Sequence, residues 1–173
     1  MDDVDDADVR VEIVDPSRTY ELRHTVLLPG RPFSETKDND AFASAVTFGL
    51  TEGGDPRILA TATVYREEPP SSCAPIVLLA DSHRPWRLRA VATDERRRGE
   101  GLGRLVLDAV IEYISEDEPA LLWCNARIAA ERFYAREGFL SYGPIFEVEH
   151  VGQHVVMYRA IPRSPQGSRT PSG

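Results

Sequence analysis

One stretch constrains this 173-residue chain more than any other: Arg96-Arg97-Arg98-Gly99-Glu100-Gly101-Leu102-Gly103-Arg104. It joins a strand-like run, residues 86–93, to a helical pattern whose apolar positions begin at Leu102. A chain that turns from strand to helix on three alternate glycines presents successive backbone N–H groups without Cβ obstruction, at the positive end of the helix dipole. With four arginines alongside, the combination suits a phosphate group; a glycine-rich turn that merely redirects the chain is the plainer alternative. Two better-known phosphate loops fit the spacing poorly. A Walker A loop needs Gly-Lys followed by Ser or Thr, and the only lysine, Lys37, stands between Thr36 and Asp38. The dinucleotide fingerprint needs a third glycine where Arg104 or Val106 stands.

Periodicity and breakers fill in the rest of the chain. Residues 9–14 read as a first strand, and Asp15-Pro16 as a helix N-cap with proline at the first helical position of a helix over 16–28. A loop follows to residue 40, then a hairpin of strands 42–50 and 57–65 around residues 51–56. Residues 67–84 form a long connection with a short strand at 76–80. Beyond the bend, Leu105, Val106, Ala109, Val110, Tyr113 and Ile114 recur at helical spacing as one buried face. The run 120–124 is apolar on both faces, as a strand covered from each side must be. An alanine-rich helix spans 126–137 with Gly138 as its cap and Phe139 folding back on its last turn, before strands 141–149 and 154–161. The order β-α-β-β-β-α-β-α-β-β predicts an α/β fold.

Length and a 42% hydrophobic content fit a single domain over 9–162, with an acidic disordered leader at 1–8 and a Pro/Ser/Gly-rich disordered tail at 163–173. The net charge is −8; without the leader's five aspartates and the tail's two arginines the body carries −5, which suits a cationic partner and argues against nucleic acid. No run approaches the roughly 20 apolar residues that span a bilayer, so no membrane partner is expected and the cytoplasm is the default location. Cys73 and Cys124 have neither metal-ligand spacing nor disulfide density. His150 and His154 lack a third ligand, and no metal is expected.

Arg98, Gly101 and Gly103 match the signature of the GNAT superfamily of N-acetyltransferases: Gln or Arg, two residues, Gly, one residue, Gly or Ala. Tyr134-Ala135-Arg136-Glu137-Gly138-Phe139 resembles the same family's Tyr, three residues, Gly-Phe motif. The resemblance implies a mixed, mostly antiparallel sheet of six to seven strands with flanking helices, and acetyl-CoA as cosubstrate without a metal. By position it assigns Val91 and Thr93 to backbone contacts with the pantetheine arm, and Arg98, Gly99, Glu100, Gly101, Leu102, Gly103 and Arg104 to the pyrophosphate. Many members carry an Asn seven residues before the tyrosine; Arg127 stands there, and Asn125 lies two residues earlier as a substitute cofactor contact. The stretches 124–127 and 154–157 are similar to a bacterial branch of ElaA-like acyltransferases.

The resemblance implies transfer of acetyl from acetyl-CoA to a primary amine of a small molecule or peptide through a direct ternary complex. An N–H near Ala90 to Ala92 would receive the developing oxyanion, and Tyr134 would act as general acid toward the leaving thiolate. Simple packing beside Phe133 is the alternative role for Tyr134. Glu147 and His154 are the candidate bases, although solvated surface groups are common at such positions. Arg87 and Arg89 share a face with Val91 and Thr93 on regular alternation, available to an acceptor carboxylate or to structural salt bridges. An acyl-cysteine route through Cys124 is disfavoured, because an apolar strand raises a thiol's pKa. The loops 30–40 and 67–84 are candidate acceptor walls, and a homodimer is compatible with the resemblance. The alternatives are a non-catalytic acyl-CoA-binding or regulatory module of the same fold, and a nucleotide-binding domain using the bend for another phosphate.

Overall fold

The structure, a computed structural model, describes residues 8–37, 40–79 and 84–165. Most of the expected leader and tail, and Ala80 of the expected short strand, therefore lie outside the described residues. Among those residues seven strands form one sheet in the order β1-β2-β3-β4-β5-β7-β6. They are β1 (Val9–Ile13), β2 (Val46–Glu52), β3 (Asp55–Arg66), β4 (Trp86–Thr93), β5 (Ala120–Arg127), β6 (Leu140–Val148) and β7 (Gly152–Ile161). The β1–β2, β2–β3, β5–β7 and β6–β7 pairs are antiparallel and the β4–β5 pair is parallel, which is the expected mixed α/β sheet. Helices α1 (Tyr20–Leu27), α2 (Leu102–Ile114) and α3 (Glu131–Arg136) fall between them in chain order. No described helix is long and apolar enough to cross a membrane.

The described residues group into two compact units, one within Met1–Val64 and Arg89–Val110, the other within Tyr65–Leu88 and Ile111–Gly173. In the first, Asp15 caps the segment after β1 as expected, its carboxylate accepting from the Ser17 N–H at 2.9 Å; the first turn is 3-10, Pro16–Thr19, before α1 begins. The hairpin is tighter than the composition of residues 51–56 suggests: β2 and β3 run to Glu52 and from Asp55, leaving only Gly53-Gly54 at φ +60° and +79°. Two residues with positive φ match the twist of the flanking strands, so the ladder extends to the turn. Thr47 and Thr63 face each other across β2 and β3 with hydroxyls 2.8 Å apart, and both meet the buried guanidinium of Arg23. Arg23 also donates to the Thr36 carbonyl at 3.2 Å and to Asp40 at 2.9 Å. A charge this deep is tolerated because it is paired and hydrogen-bonded, and here it pins the expected loop 30–40, which contains a 3-10 turn, Phe33–Lys37.

The second unit differs from expectation in two places. The apolar run after Pro75 is 3-10, Ser71–Leu79, rather than the start of a strand at 76; Cys73 and Ile76 pack it onto Leu121, Trp123 and Val156. The alanine-rich stretch starts as strand: Ala126 and Arg127 still pair with Val155 and His154, a 3-10 turn covers Ile128–Ala130, and α3 is only six residues long. Ladder pairing has overridden the helix propensity of alanine. On α2 the buried positions are Leu102, Val106, Leu107, Val110 and Ile114, whereas Leu105 and Tyr113, expected within that face, are exposed at its rim.

Candidate active site

In the first unit the bend is built from its own side chains. Asp94 ends β4's run and caps a short 3-10 turn, Glu95–Arg97, accepting from the Arg96 N–H at 3.0 Å and from the Arg96 guanidinium at 2.9 and 3.2 Å. These bonds, the side-chain ones foremost, hold the Asp94 carboxyl down at about 2. A main-chain bond from Asp94 N–H to the Leu59 carbonyl, 2.8 Å, ties the start of the turn to β3. Gly99 and Gly101 then take φ of +82° and +81°, a region glycine enters without a Cβ penalty. Among the described residues, and beyond the glycine and its two chain neighbours, no heavy atom lies within 4 Å of where a Cβ would stand at either position. Gly101 accepts the first intrahelical bond of α2, from Leu105 N–H at 3.1 Å. The N–H groups of Leu102, Gly103 and Arg104 open the helix, where no intrahelical acceptor exists, and its first turn carries no acidic residue. The positive end of the helix dipole is therefore uncompensated from within the helix.

The four arginines of the bend are not equivalent. Arg96 is taken by Asp94, and Arg97 by Glu52 and Glu100. Arg98 and Arg104, both solvent-facing, stand at 3.7 and 3.8 Å from Glu95 and Asp108. Upstream, Ala90 adopts φ +52° within β4, a left-handed conformation that costs an L-residue on the order of 1–2 kcal/mol. This break interrupts the regular alternation that put Arg87 and Arg89 on one face with Val91 and Thr93. No sequence signal marks it. Such strain inside a strand is a feature of functional positions. Arg87 has a structural partner, Glu67, and stacks over the Trp123 ring.

In the second unit α3 ends as expected. The Phe139 N–H bonds to the Tyr134 carbonyl at 3.0 Å and the Gly138 N–H to the Ala135 carbonyl at 3.1 Å, with Gly138 at φ +84°: the two bonds of a Schellman motif. Phe139 is buried and its ring centroid lies 5.3 Å from that of Tyr134. Tyr134 is thus fixed between Phe133 and Phe139. Burial pushes its phenol well above 10, with the nearby Cys124 adding to the rise and Arg127 opposing it. Cys124 is itself pushed up to about 12 by burial, so its thiol stays protonated, in keeping with the inert role expected for it.

Register sorts the remaining candidates. Antiparallel partners point to the same side of a sheet, so Asn125 with Val156, Arg127 with His154, and His154 with Phe146 share one face. Cys124, one residue away on β5, belongs to the opposite face. Glu147, adjacent to Phe146, points away from His154 and is exposed, so the two expected bases do not converge. His154 is buried, stacks on Phe146 at 5.9 Å, and bonds through Nδ1 to the Gly152 carbonyl at 2.8 Å. A carbonyl only accepts, so Nδ1 carries the proton and the lone pair of neutral His154 is on Nε2. The Asn125 Oδ1 is buried with no hydrogen-bond partner among the described residues, a state protein groups rarely keep without a ligand or water.

The chain matches the family model described as an acetyltransferase (GNAT) domain over residues 73–159. It is 27% identical over 153 residues to the uncharacterized N-acetyltransferase YitI of Bacillus subtilis (strain 168), covering 88% of this chain and 97% of YitI. The crystal structure of Escherichia coli ElaA superposes with a TM-score of 0.62 at 18% identity, over 88% of this chain and 99% of ElaA. FeeM, an N-acyl amino acid synthase from uncultured soil microbes, superposes with a TM-score of 0.65 at 13% identity, over 92% and 93% of the two chains. At such identities the two structures speak for the fold alone. With the family match spanning half of its length, this chain belongs to the GNAT acetyltransferase family and is an acyltransferase enzyme with N-acetyltransferase activity.

Proposed function

We propose that the chain transfers acetyl from acetyl-CoA to a primary amine of a small molecule or peptide, with both substrates bound together. The observation that carries this reading is the bend at Gly99 and Gly101: space open at both Cβ positions, beside a helix N-terminus without an acidic residue. A diphosphate fits that donor set, with amides from Gly99 to Arg104 as ligands, Arg98 and Arg104 as outer cations, and Glu100 contributing main chain while Arg97 occupies its carboxylate. Val91 and Thr93 would hold the pantetheine arm through their backbone, and Asn125 Oδ1 supplies an unused acceptor. Bound acetyl-CoA would supply an activated acetyl thioester and a thiolate leaving group.

Tyr134 Oη would deliver a proton to the leaving sulfur. Burial raises its pKa well above 10, so the phenol holds its proton until the thiolate forms beside it. His154 Nε2 is the better base for the ammonium of the acceptor, because its lone pair is free by tautomer and Glu147 points elsewhere. The body's charge of −5 without its leader and tail favours a small cationic acceptor, and the same reading places the enzyme in a bacterial cytoplasm. The test is thermal: acetyl-CoA should raise the melting temperature progressively with concentration, whereas ATP and NADH should not. No shift at millimolar acetyl-CoA would end the proposal.

A further inference from the structure

We propose that Arg97 is a strut, fixed by Glu52, that sets the shape of the phosphate-binding bend, and is not itself a phosphate ligand; this presupposes that the bend holds the diphosphate of CoA. Three nitrogens of its guanidinium meet carboxylates. Nη1 and Nη2 donate to the two oxygens of Glu52 at 2.8 and 2.9 Å, and Nε donates to Glu100 at 2.7 Å. Two parallel bonds to one carboxylate fix orientation as well as distance. Glu52 is a firm anchor. It closes β2 at a register shift between Leu50 and Glu52, which re-aims the side chains beyond it, and it precedes the two-glycine turn whose Gly53 N–H bonds to the Asp8 carbonyl. Arg97 lies two residues before Gly99, so the bend is tied down at Asp94 by main chain and at Arg97 by side chain.

Charge decides between strut and ligand. Arg97 serves two carboxylates, so the trio carries a net negative charge and contributes no attraction for an anion. Its service is geometric, and it also keeps Glu100, the one acid inside the bend, turned toward Arg97 rather than toward a bound phosphate. The two models predict opposite signs for Glu52→Gln. If Arg97 were a phosphate ligand competing with Glu52, removing the Glu52 charge would release it and tighten CoA binding. If Arg97 is a strut, the same change loosens the bend and weakens binding.

The experiment measures CoA binding by calorimetry to wild type, Glu52→Gln, Arg97→Lys, Arg97→Gln and the Glu52→Gln/Arg97→Gln pair, with pantetheine as the phosphate-free comparison. Loss of one charge-assisted bidentate bond should weaken CoA about five- to tenfold for Glu52→Gln, leave pantetheine unchanged, and raise the KM for acetyl-CoA rather than lower kcat. The double variant should be no weaker than Arg97→Gln alone, since both remove one link, and Arg97→Lys should recover only part of the loss because it cannot fork. Amide exchange at residues 98–101 of the ligand-free protein should quicken in Glu52→Gln, a readout that needs no ligand. Unchanged or tighter CoA binding by Glu52→Gln, or unaltered exchange at those amides, overturns the strut. Failure of the wild type to bind CoA would instead overturn the assignment of the bend, whatever the variants do.

Discussion

Adding one methyl group at Gly101 separates the fold of the bend from its use. At φ +81° any L-residue pays a conformational penalty, about 1–2 kcal/mol for alanine, and replacing glycine returns about 0.4–1 kcal/mol by restricting the unfolded chain. Because no heavy atom of the described residues, chain neighbours aside, lies within 4 Å of the new Cβ, no clash with them is added. Gly101→Ala should therefore lose about 1 kcal/mol, a fall of about 2–4 °C in Tm for a chain of this length. The space that is empty for the protein is the space a phosphate must enter. A Cβ there pushes the phosphate back from one or two amides, and a hydrogen bond to a charged group is worth about 1.5–3 kcal/mol. The Kd for CoA should rise at least about tenfold, toward 100-fold if two bonds are lost. Calorimetric melting and CoA titration on one preparation give both numbers. Gly30→Ala, at φ +78° and equally open, is the control and should show the Tm loss without the binding loss. A Gly101→Ala protein that melts a few degrees lower yet binds CoA with native affinity would refute the assignment of this space to the ligand.

Other outcomes follow from the same geometry. Tyr134→Phe should lower kcat about 100-fold while the KM for acetyl-CoA stays near its native value, and equal turnover would remove the acid role. Cys124→Ala should retain activity, because a thiol raised to about 12 supplies no nucleophile; loss of turnover with an intact fold would reinstate an acyl-cysteine route. Asp94 has a folded pKa of about 2, below its unfolded value, so its contribution to stability is present above about pH 4 and is lost as pH falls through 2. Asp94→Asn should flatten that acid limb in denaturant titrations, and an unchanged slope would show that the Arg96 bonds do not form in solution. At Ala90 the sign at Gly101 is reversed: Ala90→Gly should hold or raise Tm and Ala90→Val lower it, and the opposite order would contradict a left-handed residue in β4.

The bend and its neighbours were legible because local signals agree there: β-branched and apolar residues into Thr93, glycines at 99 and 101, and a 3.6-residue period from Leu102. The Schellman end of α3 was legible from Gly138 and Phe139 for the same reason. Partners distant in sequence were not. Composition makes the four arginines of the bend alike, yet Arg97 is claimed by Glu52, 45 residues away, and Arg23, one position within the predicted helix 16–28, is the buried hub of Thr47, Thr63 and Asp40. Ala126 and Arg127 carry helical propensity but extend β5, because the ladder to β7 offers them hydrogen bonds that a helix start would forgo. The tautomer of His154, and its separation from Glu147, depend on register between β6 and β7, which alternation within one strand does not specify.

The most direct test is a crystal structure of the protein with CoA. The diphosphate should lie within hydrogen-bond distance of amides between Gly99 and Arg104, with Arg97 still forked onto Glu52. A diphosphate bound elsewhere, with the Gly99 to Gly101 amides facing only water, would contradict the account.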